Sequence, residues 1–74
     1  MSEDITAPMS GKIFKILVSV GDEVSFEDEL LILEAMKMEN QVNSPASGIV
    51  KAVNNSVGDQ VDTVSAVIEL NLDD

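Results

Sequence analysis

The chain repeats itself. At an offset of 37 positions, without a gap, the span from Ile5 to Leu33 overlays the span from Val42 to Leu70. Nine pairs are identical: Pro8 with Pro45, Ser10 with Ser47, Gly11 with Gly48, Ser19 with Ser56, Val20 with Val57, Gly21 with Gly58, Asp22 with Asp59, Val24 with Val61 and Leu33 with Leu70. Roughly two identities would arise by chance over such an overlap in a chain of ordinary composition. Ile5 with Val42, Ile13 with Val50, Ile16 with Val53, Leu30 with Val67 and Leu31 with Ile68 keep apolar character without identity. Such self-similarity governs every later reading of the fold.

Each half runs as Pro, two residues, Gly, an alternating strand, a Val-Gly-Asp-x-Val turn and a second apolar strand. Gly11, Gly21, Gly48 and Gly58 read as turn residues, since glycine reaches positive φ without a steric penalty. Lys12 to Val18 and Ile49 to Asn54 alternate imperfectly, consistent with half-buried strands. Glu27 to Asn40 pulls the other way: it is rich in Leu, Glu, Met and Ala, and Ser25 with Asp28 imitates a helix capping box. Yet Leu30, Leu31, Ile32 and Leu33 are consecutive and would cover every side of a helix. Their repeat partner, Val64 to Leu70, reads as a strand. The repeat therefore predicts a strand over Glu29 to Ala35. Short strands at regular spacing predict an all-β sandwich or barrel. One domain is expected over 1–74, with repeat halves at about 5–36 and 38–72 and short acidic tails at both ends.

Composition narrows the chemistry. Phe14 and Phe26 are the only aromatics in a chain that is 45% hydrophobic, so the core must be aliphatic. With no cysteine and no histidine, disulfides and thiolate ligands are excluded and no metal site is expected. Acids outnumber bases 14 to 4, and the bases are Lys12, Lys15, Lys37 and Lys51. Nucleic acid and anionic membrane surfaces are therefore poor partners, because phosphate binding needs clustered positive charge. A protein partner with basic docking surfaces is expected, although net charge of this size also serves solubility. The usual general bases and activated nucleophiles are missing, so a self-contained enzyme is not expected. The acidic start Met1-Ser2-Glu3-Asp4 and the lack of a long apolar run predict a soluble, cytoplasmic protein.

Between the halves sits Glu34-Ala35-Met36-Lys37-Met38-Glu39. The strand ending near Ala35 must reverse before the second half begins at about Val42, so a tight hairpin falls around Met36 and Lys37. There the repeat has no internal partner. If a pseudo-twofold relates the halves, this tip corresponds to the two chain ends on the opposite edge of the fold. Methionines at a surface tip gain nothing from burial within the domain, but their flexible thioethers suit an apolar cofactor or a modifying enzyme's pocket.

Ala35-Met36-Lys37-Met38, preceded by Glu34 and followed by Glu39, resembles the signature of the biotinyl domains of biotin-dependent carboxylases, decarboxylases and transcarboxylases. Ala7-Pro8-Met9-Ser10-Gly11 and Ser44-Pro45-Ala46-Ser47-Gly48 extend the resemblance over nearly the whole chain. It implies a flattened β-barrel or sandwich of two four-stranded antiparallel sheets with pseudo-twofold symmetry. It further implies covalent biotin on the ε-nitrogen of Lys37, with Met36 and Met38 as recognition flanks and Ala35 and Glu34 completing the cofactor-binding motif. The implied partners are a biotin protein ligase, a biotin carboxylase, and a carboxyltransferase or decarboxylase subunit, between which the carrier shuttles a carboxyl group. The chain departs from the family where a glycine usually follows each Val-Gly-Asp turn: it reads Ser25-Phe26-Glu27-Asp28-Glu29 and Asp62-Thr63-Val64-Ser65-Ala66. Lipoyl domains share this fold and repeat but resemble Asp-Lys-Ala at the tip, so biotin is preferred over a lipoyl acyl carrier. A cofactor-free interaction module of the same fold is the other alternative. Lys12, Lys15 and Lys51 read as solubilising residues.

Overall fold

Among the described residues eight strands form in order: β1 (Ser2–Thr6), β2 (Gly11–Ile16), β3 (Glu23–Val24), β4 (Glu29–Ala35), β5 (Met38–Asn43), β6 (Gly48–Val53), β7 (Gln60–Val61) and β8 (Ala66–Leu72). These come from a computed structural model that describes residues 1–72. Asp73 and Asp74, the acidic C-terminal tail of the sequence reading, lie outside the described residues. At the other end Glu3 and Asp4 lie within β1.

The strands make two antiparallel four-stranded sheets, ordered β1-β8-β6-β3 and β5-β4-β2-β7. Advancing 37 positions carries β2 onto β6, β3 onto β7 and β4 onto β8, residue for residue. The same operation turns the order of one sheet into the order of the other. The repeat is thus a pseudo-twofold, and each half contributes two strands to each sheet. Neither half can complete a sheet alone.

The core is aliphatic, as the composition requires. Ile13, Leu30, Leu31, Leu33, Val50, Val67, Ile68 and Leu70 are almost wholly buried between the sheets. The run that resisted a strand reading owes its shape to a shift in register. Glu29 pairs with Asn43 but Leu31 with Val42, so Leu30 is an extra residue on β4. Two-to-one pairing of this kind bends a strand and sends neighbouring side chains to one side. Leu30 and Leu31 both enter the core, Ile32 is half-buried and Leu33 returns inward. The repeat reproduces the device: Val67 is the extra residue between Ile68 and Ala66 on β8. Phe14 and Lys51 play a matching role on β2 and β6 and account for the imperfect alternation there.

One turn design recurs three times. In Ser19-Val20-Gly21-Asp22, Ser25-Phe26-Glu27-Asp28 and Ser56-Val57-Gly58-Asp59 the Asp amide donates to the Ser carbonyl at 3.0 Å. In return each Ser amide donates to the Asp carboxylate at 2.8 to 2.9 Å. The third residue has positive φ in every case: 96° at Gly21, 71° at Glu27 and 95° at Gly58. The apparent capping box of Ser25 and Asp28 is this turn and not a helix start. Gly11 and Gly48 also differ from the turn reading, since they open β2 and β6. Their role is close approach: a Cβ on Gly48 would overlap the Asn71 carbonyl, and one on Gly11 would sit 2.6 Å from the Glu34 carbonyl oxygen.

Candidate functional site

The β4–β5 hairpin closes on the pair Ala35 and Met38, which leaves Met36 and Lys37 as a two-residue loop. Both have positive φ, 55° and 63°. A two-residue loop with positive φ at both positions is a type I′ turn, whose twist matches that of the flanking strands. Asn-Gly is the sequence that adopts it with least strain. Side chains other than Gly and Asn in the left-handed region cost about 1–2 kcal/mol per residue. Met36 and Lys37 occupy the turn against local preference, and the hairpin below holds them there.

The stem explains the hold. Leu33 is fully buried and anchors β4, while Ala35 is the last buried residue before the tip. Ala35 lies over the start of β2, where a Cβ on Gly11 would come within 3.1 Å of its own Cβ. A small residue at 35 and none at 11 let the hairpin close down on β2. Next below the tip, Glu34 faces Glu39 across the hairpin, and Lys12 is in register with Glu34 on its other side. Directly opposed like charges are unfavourable on a sheet, and the register places a lysine on the strand beside one of the two.

The sequence-derived residues therefore separate by role. Lys37 is exposed at the tip. Met36 is 89% exposed and Met38 65% exposed, the two flanks standing open to solvent. Glu34 is exposed on the stem, whereas Ala35 is buried and supports the turn from within the fold. No group of ligating side chains suited to a metal occurs among the described residues. Neither is any buried side-chain polar atom left without a partner among them. The side chains on either side of the lysine are open to solvent. What the site offers is one amine exposed at the apex of a two-residue turn, and this fits a group held by a single covalent bond. No helix among the described residues is long and apolar enough to cross a membrane.

Residues 3–70 match the family model described as biotin-requiring enzyme. A biotin carboxyl carrier protein of Streptococcus mutans is 47% identical over 64 residues, covering 86% of this chain and 49% of its own length. The chain thus spans about half of that relative. A dihydrolipoyllysine-residue acetyltransferase component of the pyruvate dehydrogenase complex of Azotobacter vinelandii is 38% identical over 73 residues, 95% of this chain and 11% of that one. Among solved structures, the urea carboxylase of Kluyveromyces lactis superposes on 96% of this chain and 6% of its own with a TM-score of 0.89 at 31% identity.

Proposed function

Because the chain belongs to the biotin-requiring enzyme family and is a biotin carrier domain, we propose that Lys37 is the residue on which the cofactor is carried. The observation behind this reading is the solvent-exposed lysine at the apex of a two-residue hairpin between two exposed methionines. Attachment requires the Lys37 amine to lose a proton and attack the acyl carbon of biotinyl-adenylate. An amide bond forms, the bond to phosphate breaks and AMP leaves. A biotin protein ligase supplies the adenylate and takes up the proton. Met36 and Met38 give that ligase an apolar, adaptable surface on either side of the amine. Once bound, biotin supplies a ureido nitrogen able to take up and release a carboxyl group.

The chain's own part is mechanical. The left-handed turn sets the lysine at the apex of the hairpin, exposed to solvent. The domain contributes reach and high local concentration to its partners. Those partners are a biotin carboxylase and a carboxyltransferase or decarboxylase. A cysteine-free chain suits the reducing cytoplasm. The similarity to an acetyltransferase component makes a lipoyl acyl carrier the competing outcome, and the Met36 and Met38 flanks favour biotin.

Intact-mass spectrometry after incubation with a biotin protein ligase, ATP and biotin tests the assignment. One added biotinyl group is expected, with none on Lys37→Arg. Modification of Lys12, Lys15 or Lys51, or a lipoyl adduct formed with a lipoate ligase in its place, overturns it.

A further inference from the structure

The two sheets end unequally. At one side β3 and β7 are two residues long, too short to offer an edge. At the other, β1 and β5 are outermost strands of five and six residues. Such strands present backbone N–H and C=O groups that no neighbouring strand satisfies, a template for pairing with another chain. Between the two edges runs a groove of about 450 Å³. Its lining includes the repeat mates Ile5 and Val42, Pro8 and Pro45, and Thr6 and Asn43, so the pseudo-twofold passes through it.

Charge breaks that symmetry. The β1 wall carries Glu3 and Asp4, whereas the matching positions on β5 are Asn40 and Gln41, and no lysine lines the groove. Asp4 also lies opposite Glu69 in the β1–β8 pairing. Opposed carboxylates repel and are relieved by a cation beside them. The same carboxylates oppose self-pairing, since a second copy of β1 would bring its own Glu3 and Asp4 to the edge.

We propose that this groove is a docking site for an extended, lysine- or arginine-bearing segment of a partner protein, which adds as a strand to the open edge of β1. Backbone bonds to the edge supply affinity, and Glu3 and Asp4 select the cationic side chains. The groove shares β5 with the functional hairpin. Gln41 is four residues from Lys37, about 13 Å at the rise of a strand. A segment seated there holds the domain near its working lysine and leaves that lysine uncovered. The inference does not depend on what Lys37 carries.

A nitrogen-15-labelled sample titrated with a blocked six-residue peptide of valines around a central lysine pair, whose two lysines fall on opposite faces as Glu3 and Asp4 do, tests it by amide chemical shifts. Shifts are expected to concentrate on Glu3 to Thr6 and Gln41 to Asn43, and a glutamate–valine counterpart should produce none. The Glu3→Gln, Asp4→Asn double variant should bind about fivefold more weakly, as expected for losing two exposed ion pairs. Glu23→Gln, on the far edge, should bind as the parent does. Shifts scattered over the acidic turns, unchanged affinity in the double variant, or sedimentation showing a dimer closed through β1 would each overturn the proposal.

Discussion

Glu27, like Met36 and Lys37, is at odds with its conformation. It occupies the third position of a Ser-x-x-Asp turn whose two sister copies both have glycine there, yet its φ of 71° is equally left-handed. Replacing it with glycine should stabilise the domain by about 1 kcal/mol, the usual penalty for a side chain in that region, read as a higher urea midpoint at unchanged slope. Its repeat mate, Val64, solves the same corner differently. There Asp62 accepts from the Ser65 amide at 2.8 Å and the Val64 amide at 3.0 Å. These bonds, Ser65 first, hold the Asp62 carboxyl below its ordinary value. A carboxyl depressed in the folded state stabilises the fold above the unfolded value of 3.8, and that contribution is lost as pH falls through the folded one. Asp62→Asn should therefore unfold at lower urea than the parent at neutral pH, with the gap closing as the solution is acidified below about pH 4. Both departures from the family pattern were visible in the sequence. How each corner closes was not, because it depends on a φ angle in one case and on a side-chain acceptor in the other.

Among elements, β4 was the hardest to read and the most informative. Helix propensity over Glu27 to Asn40 was real, and the repeat decided against it by pointing to β8. The extra residue at Leu30 explains the conflict: a strand that bulges buries two adjacent leucines, which a strict alternation pattern does not anticipate. The glycines opening β2 and β6 were legible as special positions but not in their role, since close approach of two backbones leaves no local signature. Gly48→Ala would drive a Cβ into the Asn71 carbonyl. It should destabilise by about 1–3 kcal/mol, as overpacking does. Hydrogen exchange should show the loss first in the amides of β6 and β8.

For the molecule as a whole, the repeat foretold both the symmetry and the location of Lys37. The groove between β1 and β5 lay beyond it, because it forms from strands that do not pair. Since each sheet draws strands from both halves, peptides covering 1–36 and 37–72 should each lack dispersed amide resonances and cooperative unfolding when studied alone. The Leu72 amide donates to the Met1 carbonyl at 2.8 Å, and the repeat makes Leu72 and Met1 the counterparts of Ala35 and Met38. Leu72 and Met1 therefore meet where the twofold calls for a second hairpin. A circular permutant of residues 1–72 that joins Leu72 to Met1 through a two-residue Asn-Gly link and opens the chain between Asn54 and Asn55 should fold with the same sheet orders and still present Lys37 at its tip, checked by amide shifts and ligase-dependent mass gain. In topological terms residues 1–72 trace a ring of two equal arcs, with Lys37 at one pole and the Met1–Leu72 contact at the other.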